Sequence, residues 1–128
     1  MINFENLRVW QIAHEGTLLV YKLSQKLPKE ELFGLISQIR RAAISIELNV
    51  AESEGRFNKQ EKIQFLYMAR GSCVEVRAAL LIISDLYPAL TEKSSHLIKT
   101  YESLESQLNS LIGYRKRSSQ PSKPSQPS

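Results

Sequence analysis

The chain has 128 residues and a mass of 14.6 kDa, 42% apolar and 23% charged, the size and balance of one globular domain rather than a disordered segment. Its longest unbroken apolar run is six residues, Ala78–Ile83, against the about 20 that a membrane-spanning helix needs, and its one cysteine, Cys73, excludes an internal disulfide and a multi-cysteine metal site. Residues 115–128 hold four of the 17 basic residues and no acid, so residues 1–114 carry 13 of each sign and the net +4 belongs to the tail.

The first helix is predicted over Glu5–Lys26, with Leu7, Trp10, Ala13, Leu18, Tyr21 and Leu27 as core candidates. Gly16 weakens it by about 1 kcal/mol relative to Ala. The second is predicted over Lys29–Ser53, because Leu32, Leu35, Ile39, Ala42, Ile46 and Val50 recur at helical spacing, widened by Ile36 and Ala43. Gly55 is its expected stop. The third has the clearest pattern, over Asn58–Tyr87. Leu66, Cys73, Leu80 and Tyr87 repeat every seven residues, and Ala69, Val76 and Ile83 form a second column. Asn58 with Glu61 resembles a capping box. The fourth helix is expected over Glu92–Tyr114, with Thr91 as its cap and Leu97, Tyr101, Leu104, Leu108 and Leu111 inward.

Four helices with short links predict an all-α fold, an antiparallel up-down-up-down four-helix bundle over residues 1–115. Residues 116–128 read as a disordered tail, because Ser118–Ser128 holds five Ser, three Pro and no apolar residue. No secretory signal is visible at the start, so a cytoplasmic protein is expected. Val9, Val20, Leu81 and Ile82 fall off the main apolar columns and suggest a subunit interface.

Several stretches resemble the 23S rRNA intervening-sequence protein family of bacterial four-helix bundles. The likeness begins at Phe4-Glu5-Asn6-Leu7-Arg8-Val9-Trp10-Gln11 and continues through Val20-Tyr21-Lys22-Leu23 and Leu27-Pro28. It is strongest in Phe33-Gly34-Leu35, Gln38–Ile46 and Asn49-Val50-Ala51-Glu52. It resumes at Arg56, Phe65-Leu66, Ala69-Arg70-Gly71-Ser72 and Glu75. The family usually has Pro where Glu47 stands and Gly where Ser53 stands, so the turn into the third helix is expected to differ. The resemblance implies a ring-like homopentamer, no enzyme activity, no cofactor, and a role near nucleic acid. A related bundle is the accessory protein of diversity-generating retroelements, which works beside a reverse transcriptase.

The residues offer matching chemistry. Arg56, Arg70 and Arg77 fall at multiples of seven, and Arg40 and Arg41 add charge on the second helix. Repeated around an oligomer, such cations make a multivalent, salt-sensitive grip on RNA or DNA phosphates. Arg115, Lys116 and Arg117 could assist from the tail. The competing reading is a solvated helix face with ordinary ion pairs. No base-reading motif is present, so binding is expected to tolerate sequence. Gln38, Ser45, Asn49, Glu52, Ser72 and Glu75 read as a structural polar network that fixes helix register. No metal is expected: His14 and His96 both lack the Glu three residues earlier that a di-iron bundle uses. The alternative function is a protein-interaction adaptor, such as a retroelement subunit partnering a reverse transcriptase.

Overall fold

The computed structural model describes residues 3–118. Four helices form, α1 (Arg8–Ser24), α2 (Ser37–Gly55), α3 (Lys59–Leu86) and α4 (Thr91–Arg117). Each packs on its neighbours in a closed cycle, α1 on α2, α2 on α3, α3 on α4 and α4 on α1. With links this short the helices alternate in direction, which is the antiparallel bundle the periodicity predicts. The 28 residues of α3 span about 42 Å at about 1.5 Å per residue. One end of the bundle gathers the C-termini of α2 and α4 and the N-terminus of α3. The other gathers the α1–α2 turn, the end of α3 and the start of α4.

The core is filled as the third-helix columns require: Leu66, Ala69, Cys73, Val76, Leu80 and Ile83 are buried, against Ile39, Ile46 and Val50 of α2 and Leu104 and Leu108 of α4. Asn58 caps α3 as expected, its Oδ1 accepting from the backbone N–H of Gln60 (2.8 Å) and Glu61 (3.4 Å). Glu61 does not complete the box and instead lies 3.9 Å from Arg56.

The register of α1 differs from the predicted one. Val9, Ile12, Ala13, Gly16, Thr17, Val20 and Leu23 face the core, while Leu18 is 54% exposed and Trp10 and Tyr21 are only half-buried. Val9 and Val20 are thus core residues, and only Leu81 and Ile82 of the four off-column residues are exposed. The reason is that the inward stripe of α1 is built of small side chains at its middle, so the larger residues on the flanks dominate the apolar signal.

The second helix also starts late. Lys29–Glu31 form a 3-10 turn and Leu32–Ile36 a wider turn in which Gly34 leaves helical geometry (φ −117°, ψ −109°), so α2 proper begins at Ser37 and Leu32 stays exposed. Tyr87 lies beyond α3, where its hydroxyl donates to Glu31 Oε2 at 2.6 Å. Thr91 is the first residue of α4 rather than its cap. A 3-10 turn at Pro88–Leu90 leads into the helix, and the Thr91 hydroxyl donates to the Ser84 carbonyl (3.3 Å). Lys116 and Arg117, expected in the tail, are the last turn of α4. The Pro/Ser-rich stretch from residue 119 onward lies outside the described residues.

Candidate nucleic-acid interface

The predicted arginines meet three different fates. Arg77 of α3 is committed: its Nε and Nη2 both donate to Glu105 of α4, and this hydrogen-bonded carboxylate raises its pKa further. Arg115 is committed likewise, with Nη2 donating to both carboxylate oxygens of Glu54 (3.0 and 2.8 Å). Arg56 sits between Glu52 (2.7 Å) and Glu61 (3.9 Å), its guanidinium 4.8 Å from the Phe65 ring. These three charges are largely cancelled, so the seven-residue spacing of Arg56, Arg70 and Arg77 does not yield a row of free cations.

Arg40 and Arg70 hold neutral partners instead. Arg40 Nε donates to the Ser24 hydroxyl (2.8 Å) and its guanidinium lies 4.2 Å over Tyr21. Arg70 Nη1 donates to Asn109 Oδ1 (2.7 Å), with its guanidinium 4.7 Å from the centre of Tyr67. Their charges stay uncompensated while their geometry is fixed. Arg41 and Arg117 are exposed, with no carboxylate at ion-pair distance among the described residues.

Around Tyr67 these pieces converge. Lys116 Nζ lies 5.1 Å from the same ring, so one tyrosine carries a cation from its own helix and one from α4. The cleft beside it is lined by Lys59, Gln60, Ile63, Gln64, Tyr67 and Lys116, and no carboxylate lines it. Lys59 Nζ donates to the carbonyls of Lys116 (3.0 Å) and Ser118 (2.8 Å), closing the C-terminus of α4. A cation there also complements the helix dipole. Lys62 does the same for α2 through the carbonyls of Ser53 and Glu54 (both 3.3 Å), and its burial lowers its pKa. Segments 50–70 and 109–117 together hold seven cations and three carboxylates, so this end of the bundle is net positive although the body is neutral.

Sequence reading did not single out Tyr67 beside these cations. The available signal was the pair Tyr67 and Arg70, three apart and therefore neighbours on a helix surface.

The polar network forms in part. Asn49 Nδ2 donates to the Ser45 carbonyl (2.8 Å) and hydroxyl (3.0 Å), and the Ser72 hydroxyl donates to Ser45 Oγ (3.0 Å), tying α2 to α3. Glu52 belongs to the Arg56 pair, and Gln38 and Glu75 are exposed and apart from the cluster. The two family departures have local partners. Glu47 pairs with His14 of α1 (2.9 Å), and the Ser53 hydroxyl donates to the Lys62 carbonyl (2.9 Å), a link a glycine could not make.

Burial pushes the Cys73 thiol up to about 12, which removes it as a nucleophile near neutral pH. Among the described residues no helix is long and apolar enough to cross a membrane.

The fold is an all-α, four-helix bundle with a cationic pole. The sequence profile of the 23S rRNA-intervening sequence protein family matches residues 5–110, and the chain belongs to that family. No curated protein matches it.

Proposed function

We propose that this chain is a non-enzymatic cytoplasmic bundle that self-associates and holds RNA or DNA by its phosphates, without reading base sequence. The grip centres on Lys59, Arg70 and Lys116 around Tyr67, with Arg41 and Arg117 as outlying contacts. The observation that carries this reading is the cleft with cations from two helices and no carboxylate. Arg56, Arg77 and Arg115 serve the bundle rather than the ligand, because their carboxylate partners oppose a phosphate. The half-buried Tyr67 adds a ring on which an unpaired base could stack. The family's name supports keeping RNA first among ligands. A ring of five copies would repeat the cleft and make weak contacts avid.

The test is a gel shift with labelled single-stranded RNA and labelled duplex DNA. Binding is expected at about 50 mM salt and strongly weakened at about 200 mM, because each phosphate contact releases counterions. No shift at the lower salt overturns the reading.

The adaptor reading keeps one observation in its favour. Leu48 on α2 and Met68 on α3 are exposed, at 63% and 48%, apolar side chains that a protein partner such as a reverse transcriptase would cover. Co-purification of such a partner after nuclease treatment, with no nucleic-acid shift, would favour it.

A further inference from the structure

Two exposed features complement each other at the end of the bundle opposite the cationic cleft. The first is a knob. Phe33 is 92% exposed on the turn before α2. Glu31 pins that turn from two sides: its Oε1 accepts from the Leu35 N–H (3.4 Å) and its Oε2 from the Tyr87 hydroxyl (2.6 Å). A Cβ on Gly34 would come within 3.1 Å of Glu31 Oε1, so glycine leaves space for the cap. The ring is presented on a fixed turn, and covering it costs little ordering entropy.

The second is a groove between the end of α1 and the start of α4, of about 360 Å³. Leu19, Leu23 and Leu97 supply its apolar lining, and Lys22, Lys26 and Lys93 its rim, with Glu92 the single acid. An apolar cavity of about 150 Å³ already holds a benzene molecule, so a phenyl ring fits. None of the three lysines forms an ion pair among the described residues. Phe33 lies just after Glu30 and Glu31 in the chain, so the knob brings acid to a basic rim.

We propose that Phe33 of one copy seats in the α1–α4 groove of the next, with Glu30 facing the lysine rim. This rests on the self-association reading and names its contact. The near-complete exposure of Phe33 shows that it does not fill the groove of its own chain. Knob and groove are different surfaces, so the contact is head-to-tail. Both lie at the same end of the bundle. A rotation about an axis parallel to the helices would then carry the knob toward the next groove with little rise along that axis. Such an arrangement closes into a ring where the rotation divides a full turn evenly.

Analytical ultracentrifugation over a concentration series tests the pairing. Phe33→Ala and Leu19→Asp should each weaken association by about 30-fold or more, as a hot-spot truncation does. Both side chains are exposed, so each variant should keep the helical circular-dichroism spectrum of the unaltered chain. Mixing the two variants is the decisive arm. The first retains a groove and the second a knob, so the mixture should form one-to-one dimers and nothing larger. If the unaltered chain associates and both variants match it, the pairing is wrong while self-association stands. A wholly monomeric unaltered chain overturns both. A mixture that stays monomeric overturns the head-to-tail pairing. If decanoate occupies the groove, read from Lys22 and Lys93 side-chain resonances, without dissociating the assembly, a small anion takes the place assigned to the second copy.

Discussion

Gly16 and Tyr101 show how single residues set the packing of this bundle. Tyr101 is the largest fully buried side chain, and its hydroxyl lies beside that of Thr17, which donates to the Ala13 carbonyl (3.0 Å). A Cβ added at Gly16 would stand 2.6 Å from Tyr101 Oη and 2.9 Å from Cζ. Helix propensity alone says that Gly16→Ala stabilises by about 1 kcal/mol. Overpacking against a buried ring costs about 1–3 kcal/mol and wins here, so Gly16→Ala should lower the melting temperature. A rise would show that Tyr101 can move aside. Burial raises the pKa of both Tyr101 and Cys73, the thiol from an ordinary 9.0 to about 12. The folded state then holds these protons more tightly than the unfolded chain; the Cys73 contribution to stability is complete below about pH 9 and is lost as pH rises toward 12, and the Tyr101 contribution is lost in the same direction at higher pH. Urea titrations between these limits should show falling stability, with a shallower fall in Cys73→Ala. A thiol reagent at about pH 8 should label Cys73 only as fast as the protein opens. The role of Gly16 is not legible in the sequence, because the glycine's helix penalty is local while its reason lies on α4.

At the scale of elements, legibility follows the strength of the apolar columns. The two columns of α3 alternate without interruption from Leu66 to Ile83, and all of those residues are buried. The stripe of α1 passes through Ala13, Gly16 and Thr17, which carry almost no hydrophobic signal, so its larger flanking residues imitate a face. The start of α2 is obscured for another reason. Leu32 and Leu35 keep helical spacing, but Gly34 turns between them, and Leu32 ends up outside. End signals are mixed. Asn58 caps α3 through two backbone N–H groups, so Asn58→Ala should cost about 1 kcal/mol, measured by denaturant unfolding. A loss near zero would show that the Lys62–Ser53 link holds this end without the cap. Thr91 has the right chemistry for a cap, but the Pro88 turn places it inside the helix.

At the scale of the molecule, a neutral body has sorted its charges. Carboxylates on α2 and α4 neutralise Arg56, Arg77 and Arg115, while Lys59, Arg70 and Lys116 face carbonyls, an amide and a ring. The spacing of arginines along α3 marks the pole only in part, since ion pairing depends on which acids the neighbouring helices bring. The exposed Phe33 and the α1–α4 groove occupy the opposite end, so the proposed contact between copies would leave the cationic pole open. The dependence of RNA affinity on salt tests this account most directly, measured as the slope of log Kd against log salt for the unaltered chain, for Arg70→Ala with Lys116→Ala, and for Arg77→Gln with Glu105→Gln. The first pair should weaken binding and shorten the slope by about one unit for each phosphate no longer neutralised, whereas the neutral exchange of the α3–α4 ion pair should leave both unchanged. An unaltered slope in the first pair, or an equal loss of affinity in the second, would contradict the assignment of the phosphate grip to the Tyr67 cleft.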